Sequence, residues 1–227
     1  MIRIVSLALA CSTLLAAADP LTAVFSRMDQ TAQKFKSMTA NIEQTTYTKI
    51  VDSSSTTSGT IALTRSKNGD LKFLVSFTNG PDAPSSTAYA GTEVQTYNPR
   101  TKVEQIINVS TKKQMIEQAM SLGFGASSAE MKAAYDISYV GPDRIDGQPT
   151  EHIKLVPKAK DMQERVKEAD LWISDALGLP LQQRITPPTT GNYNQFRYSN
   201  VKVNPALSDK DLKLKTDKGV QIQRVGN

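Results

Sequence analysis

The chain has 227 residues, with 27 Lys and Arg scattered among 22 Asp and Glu for a formal net charge of +5. Nucleic-acid grooves cluster their basic residues, so this pattern speaks against a nucleic-acid partner. One histidine, one cysteine and dispersed glycines give no transition-metal ligand spacing, no phosphate loop and no dinucleotide fingerprint.

The first residues read as a secretory signal. Arg3 supplies the positive start, Ile4 to Leu15 an apolar run of about 12, and Ala16-Ala17-Ala18 a small-residue cleavage site. That run is shorter than the roughly 20 residues a bilayer span requires. Cleavage after Ala18 removes Cys11, which excludes disulfides, thiolate metal sites and a cysteine nucleophile together. A second reading is a lipoprotein signal ending in Ala8-Leu9-Ala10-Cys11, with Cys11 acylated. Its apolar region would shrink to about seven residues, the lower limit of the usual range. Residues 19–227 are expected to form a single, soluble, monomeric domain.

Asp19-Pro20 opens a helix, since Asp caps free amides and Pro suits the first helical position. Leu21, Val24, Phe25, Met28, Phe35 and Met38 recur at helical spacing. From Ala40 the texture is β, and 53–58 reads as a polar loop between two strands. Ile61, Leu63 and Arg65 share one side of the next strand. After a turn at Asn68-Gly69-Asp70, Leu71, Phe73, Val75 and Phe77 alternate with Lys72, Leu74, Ser76 and Thr78, giving one apolar face.

Shorter strands are predicted near 86–90, 93–97 and 102–108. Thr111 to Leu122 reads as a helix carrying Met115, Ile116, Ala119, Met120 and Leu122 on or near one face. Gly123-Phe124-Gly125 stops it, and Ser127 or Ser128 caps a shorter helix through Ala134. Strands return at 135–140, 150–156, 170–174, 181–186 and 194–203. Lys158 to Glu168 reads as a solvated helix or a protruding loop. Leu212, Leu214, Val220 and Ile222 suggest two last short strands. Helices segregated from a mostly antiparallel sheet make the fold α+β.

No catalytic residue can be nominated, and no metal or cofactor is expected. His152 lies on an alternating strand and reads as a surface or interface residue. Asp143-Arg144-Ile145-Asp146-Gly147 reads as a hairpin turn rather than a calcium loop. The apolar residues admit two readings, ordinary core or the lining of a binding groove, and periodicity does not separate them.

The run Gly59-Thr60-Ile61-Ala62-Leu63-Thr64-Arg65, followed by an aromatic-bearing strand, resembles the early sheet of the outer-membrane lipoprotein carrier (LolA-type) family. Ala90-Gly91-Thr92-Glu93-Val94-Gln95-Thr96-Tyr97-Asn98-Pro99 is similar to that family's "turn glycine, strand, Tyr-Asn-Pro" segment. The opening helix leading into Ala40-Asn41-Ile42-Glu43-Gln44-Thr45 agrees, as does the ending Leu212-Lys213-Leu214 with Lys218-Gly219-Val220-Gln221-Ile222.

The resemblance implies an incomplete barrel, a single antiparallel and strongly curved sheet whose concave face is covered by an amphipathic N-terminal helix and a helical lid. Acyl chains would bind between sheet and lid. It implies lipid contacts for Ile61, Leu63, Leu71, Phe73, Val75 and Phe77 on the wall, and for Met115, Met120, Leu122 and Phe124 on a lid spanning Thr111–Ala134. Arg65 falls where the family has a lid-latching arginine. The implied function is a non-enzymatic periplasmic carrier that moves acylated lipoproteins, or other envelope lipids, from an inner-membrane release complex to an outer-membrane acceptor. The alternative is a lipid or lipoprotein sensor of the same fold. Ser66 stands where the family commonly has proline, and the only tryptophan, Trp172, comes late.

Overall fold

The computed structural model describes residues 19–66, 68–113, 116–117, 122–188 and 191–225. The signal segment and Cys11 lie outside them, as do Met115 and Met120. No helix among the described residues is long and apolar enough to cross a membrane.

Helix α1 (Pro20–Ala32) starts where the Asp19 carboxylate accepts the Leu21 amide, and it buries Val24, Phe25 and Met28. The helical spacing of the apolar residues overruns the helix. Phe35 lies past its end and Met38 stands in strand β1 (Ser37–Thr48), fully buried opposite Leu63. Sheet pairing on both sides of β1 outweighs the local pattern there.

Strand β2 (Ser53–Arg65) pairs with β1 from Ser53↔Thr48 to Thr64↔Ser37. The segment 53–58 is therefore strand, not loop. Threonines and serines suit a pleated edge, and the reversal needs only Lys49–Val51 and a left-handed Asp52 at φ 44°. Strands β3 (Leu71–Asn79), β4 (Ser85–Ala90), β5 (Glu93–Asn98) and β6 (Val103–Asn108) follow as an antiparallel meander. At Gly59 any Cβ would run into the Ser76 carbonyl oxygen, so the close β2–β3 approach requires glycine.

Next in chain order comes helix α2 (Ser128–Ala134), then β7 (Tyr135–Ile145) and β8 (Gln148–Pro157), joined through Asp146-Gly147 with both φ positive. Lys158–Glu168 holds a short helix α3 (Lys160–Gln163) whose Met162 is buried. Strands β9 (Glu168–Ser174), β10 (Pro180–Thr186) and β11 (Tyr193–Val203) lead back to β1.

With an edge strand β12 (Gln221–Val225), the result is one large, open, curved sheet of 12 strands, with order β12-β6-β5-β4-β3-β2-β1-β11-β10-β9-β8-β7. The C-terminal expectation of two strands is corrected. Asp209–Leu212 is a short turn of helix with Leu212 buried, and the single strand β12 (Gln221–Val225) runs parallel to β6. The sheet is thus antiparallel except at that edge.

Two apolar clusters lie between the sheet and its helices. One gathers β1–β4 with Phe35, Val109, Phe124, Leu179 and Tyr198. The other packs α1, Leu122, Ala126 and α2 against β7–β9.

Candidate functional site

Strand register places Ile61, Leu63 and Arg65 of β2 on the same face as Leu71, Phe73, Val75 and Phe77 of β3. Directly opposed pairs share a face, and here they are Ile61↔Val75, Leu63↔Phe73 and Arg65↔Leu71. The wall continues into Tyr89, stacked on Phe73 at 5.5 Å, and into Met38, Ala40 and Ile42. Ile61, Leu63, Leu71, Phe73 and Val75 are buried, while Phe77 is half-buried.

Phe124 reaches this interior from the segment before α2, whereas Leu122 packs in the second cluster against α1 and β7–β9. Phe124 is 2% exposed and meets the Tyr198 ring edge-on at 5.0 Å. The segment is pinned by polar contacts. Tyr198 donates to Gln183 Oε1 at 2.9 Å, and Gln183 donates to the Leu122 carbonyl at 2.5 Å. Burial pushes the Tyr198 phenol upward, so it stays a neutral donor. In this arrangement the wall is closed over by Phe124, Leu179 and Val109.

At the β2–β3 turn the sheet is tied to the helical segments. Arg65 Nη2 donates to Glu130 Oε1 of α2 at 2.7 Å, with the Arg65 side chain 14% exposed and that of Glu130 54% exposed. Arg65 Nη1 is buried and has no acceptor among the described residues. Glu130 also completes a capping box, its other oxygen accepting the Ser127 amide at 2.7 Å. Burial raises the Glu130 carboxyl, but the bonds from Ser127 and Arg65 outweigh it and hold the group below its ordinary value.

A second tie joins Asp70 to Lys113, Nζ to Oδ1 at 2.9 Å. The hydrogen bond from Lys113 is the chief reason that Asp70 sits below its ordinary value. Lys113, Ile116 and Glu117 are helical, and Glu117 accepts from the Tyr89 phenol at 3.1 Å. Helix α2 is held from behind as well, where Asp29 of α1 accepts the Ser128 amide and hydroxyl at 2.6 and 2.7 Å.

Between these ties lies an open cleft of about 760 Å³. Leu122, Ala126, Met131 and Tyr135 form its apolar side, and Arg65, Asp70, Lys113, Glu117 and Glu130 its charged side. That volume is within the roughly 300–1,000 Å³ of small-ligand sites. Phe73, Val75 and Phe77 do not line it.

Sequence reasoning named Arg65 but missed its partner Glu130, and missed the Asp70–Lys113 pair. The Ser127-x-x-Glu130 spacing was a usable signal, since it is the capping-box pattern. Tyr198, Leu179 and Tyr89 carried no local mark of their role. His152 is half-buried on the other face of the sheet, stacked on Trp172 at 4.3 Å with Nε2 2.9 Å from Asp170 Oδ1.

The family model "MucB/RseB N-terminal domain" matches residues 33–216. Among solved structures, an uncharacterized conserved protein from Thermus thermophilus is 13% identical with a TM-score of 0.56, over 91% of this chain and 100% of that one. The crystal structure of MucB is 15% identical with a TM-score of 0.51, over 88% of this chain. The chain spans 64% of the length of that MucB. A LolA superfamily protein from Nitrosomonas europaea is 14% identical over 87% of this chain and 99% of that one, at a TM-score of 0.43. At these identities the structural likeness is one of fold alone. No curated protein matches the chain.

Proposed function

The chain belongs to the MucB/RseB N-terminal domain family, within the LolA-type group of folds, and from that premise we propose that it is an exported, periplasmic, lipid-binding protein rather than an enzyme. Residues 1–18 would be removed on export. The mature protein would shelter acyl chains of lipoproteins, or of other envelope lipids, between the β1–β4 wall and the lid, and carry them across the aqueous space. The observation that carries this reading is the continuous apolar wall closed by helical segments through Arg65–Glu130 and Asp70–Lys113.

Magnitudes favour a latched design. Each methylene removed from water contributes roughly 0.8 kcal/mol, so a chain of about 15 methylenes offers on the order of 12 kcal/mol. A carrier that bound with all of that would not release. Here the wall is already buried, so hydrocarbon must displace Leu122, Phe124 and the lid, and must break the two ion pairs. The opening cost offsets part of the transfer energy.

The lipid contacts we assign are Ile61, Leu63, Leu71, Phe73, Val75, Phe77, Leu122 and Phe124, with Met115 and Met120 assigned from the sequence alone. Arg65 is the latch. The test is organic extraction of the purified protein with mass spectrometry of the extract, together with uptake of a fluorescent fatty acid. Bound acyl lipid and saturable uptake, tighter in Arg65→Leu, are expected. An empty extract together with no uptake in either protein would overturn the proposal.

Membership of the MucB/RseB family favours a second reading, a sensor in which lipid binding opens the lid and changes engagement with another protein. Transfer of a lipoprotein from donor to acceptor vesicles separates the two, since a carrier performs it and a sensor does not.

A further inference from the structure

The end of β2 opposite Arg65 carries a feature that the lid and groove do not use. β3 pairs with β2 only from Ser58↔Asn79 onward, so the β1–β2 hairpin runs past β3 by about 17 Å at roughly 3.3 Å per residue. At its tip Ile50 is 91% and Val51 66% exposed, the highest values among the exposed large hydrophobics described.

The tip is held in shape. Asp52 adopts the left-handed region and accepts the Tyr47 hydroxyl at 2.8 Å, and the Lys49 amide donates to Asn192 Oδ1 at 2.9 Å. Tyr47 stacks on Tyr193 at 4.9 Å, and the Arg184 guanidinium lies 4.7 Å from the Tyr193 ring centre. Among the described residues, neither Lys49 nor Arg184 has a carboxylate partner, and Arg184, whose Nε and Nη2 donate to the neutral Gln195 Oε1 at 3.2 and 2.9 Å, keeps its charge unneutralised.

We propose that this tip docks the protein on an anionic phospholipid membrane: Ile50 and Val51 enter the interfacial layer, Lys49 and Arg184 face the headgroups, and Tyr47 and Tyr193 sit at the boundary. Aliphatic side chains projecting beyond tyrosines and cations are what a bilayer interface accepts. Two aliphatic side chains are far too little for a specific protein interface, which takes over about 1,000 Å². They do suit weak, reversible attachment strengthened by charge. The half-buried Phe77 and Phe196, at the hairpin end of the groove, would then face the membrane while the latch points away. Docking extends the proposed function but does not require the groove to hold lipid.

The test is flotation of the purified protein with phosphatidylglycerol-rich vesicles at low salt, against neutral phosphatidylcholine vesicles. Ile50→Ser/Val51→Ser should lower the partition coefficient roughly a hundredfold. Lys49→Gln should lower it about fivefold on anionic vesicles and leave neutral ones unaffected. Flotation of the double variant equal to wild type, or no flotation of wild type, would overturn the proposal. So would a change in sedimentation of the double variant without vesicles, because the tip would then join two copies. Fatty-acid uptake from solution by the wild-type protein reports the groove separately. Absent uptake with wild-type flotation that the double variant loses would sink the groove reading and leave docking intact.

Discussion

Replacing Glu130 by Gln isolates the Arg65 ion pair, because glutamine keeps the capping box that starts α2. The pair is short, 2.7 Å, with one side chain mostly buried and the other half-exposed. Hydrogen bonds to charged groups contribute about 1.5–3 kcal/mol when well buried, and exposed pairs about 0.2–1. The exposure of Glu130 pulls the expectation down to about 1 kcal/mol, or a fivefold shift of the lid toward opening. Native-state hydrogen exchange reads this directly at α2, where the Met131 amide donates to the Ser127 carbonyl at 3.0 Å. Amides of α2 should exchange about fivefold faster in Glu130→Gln, and at least as fast in Arg65→Leu. While the closed state dominates, fatty-acid affinity should rise by the same factor. Unchanged α2 exchange in both variants would refute the idea that this contact governs the lid.

The same contact carries a pH dependence of definite sign. Glu130 lies below its ordinary 4.5 in the folded protein, so its contribution to closure is complete above that value and is lost as pH falls through the lower, folded one. Exchange from α2, corrected for intrinsic rates, should therefore accelerate only below about pH 4.5, and a flat profile there would contradict it. Phe124→Ala removes a buried ring from the junction of wall and lid, and should cost about 3–5 kcal/mol in urea denaturation. Gly59→Ala forces β2 and β3 apart at the Ser76 carbonyl, and should lower the thermal midpoint by several degrees or abolish folding.

Much of the architecture was legible locally. Leu71, Phe73, Val75 and Phe77 alternate because a strand sends successive side chains to opposite faces, and that period survives any tertiary context. The cap at Asp19 was readable, and that of α2 was narrowed to Ser127 or Ser128, because a carboxylate or hydroxyl satisfies free amides within three residues of itself. Phe35 and Met38 misled because helical spacing also fits the first turn of a chain entering a sheet. The segment 53–58 misled because serine and threonine serve loops and strand edges equally.

By itself the sequence determined which faces are greasy and where most of the turns fall. It could not determine what those faces meet. Glu130 lies 65 residues from Arg65, and Tyr198 reaches the lid segment through Gln183. Such contacts depend on the curvature of a 12-stranded sheet that returns β11 to β1, a property of all the pairings together and of no single stretch. Only the tertiary structure decided that Phe124, Leu179 and Val109 pack over the wall, that Arg65 meets Glu130 and Asp70 meets Lys113, and that Ile50 and Val51 are left outside.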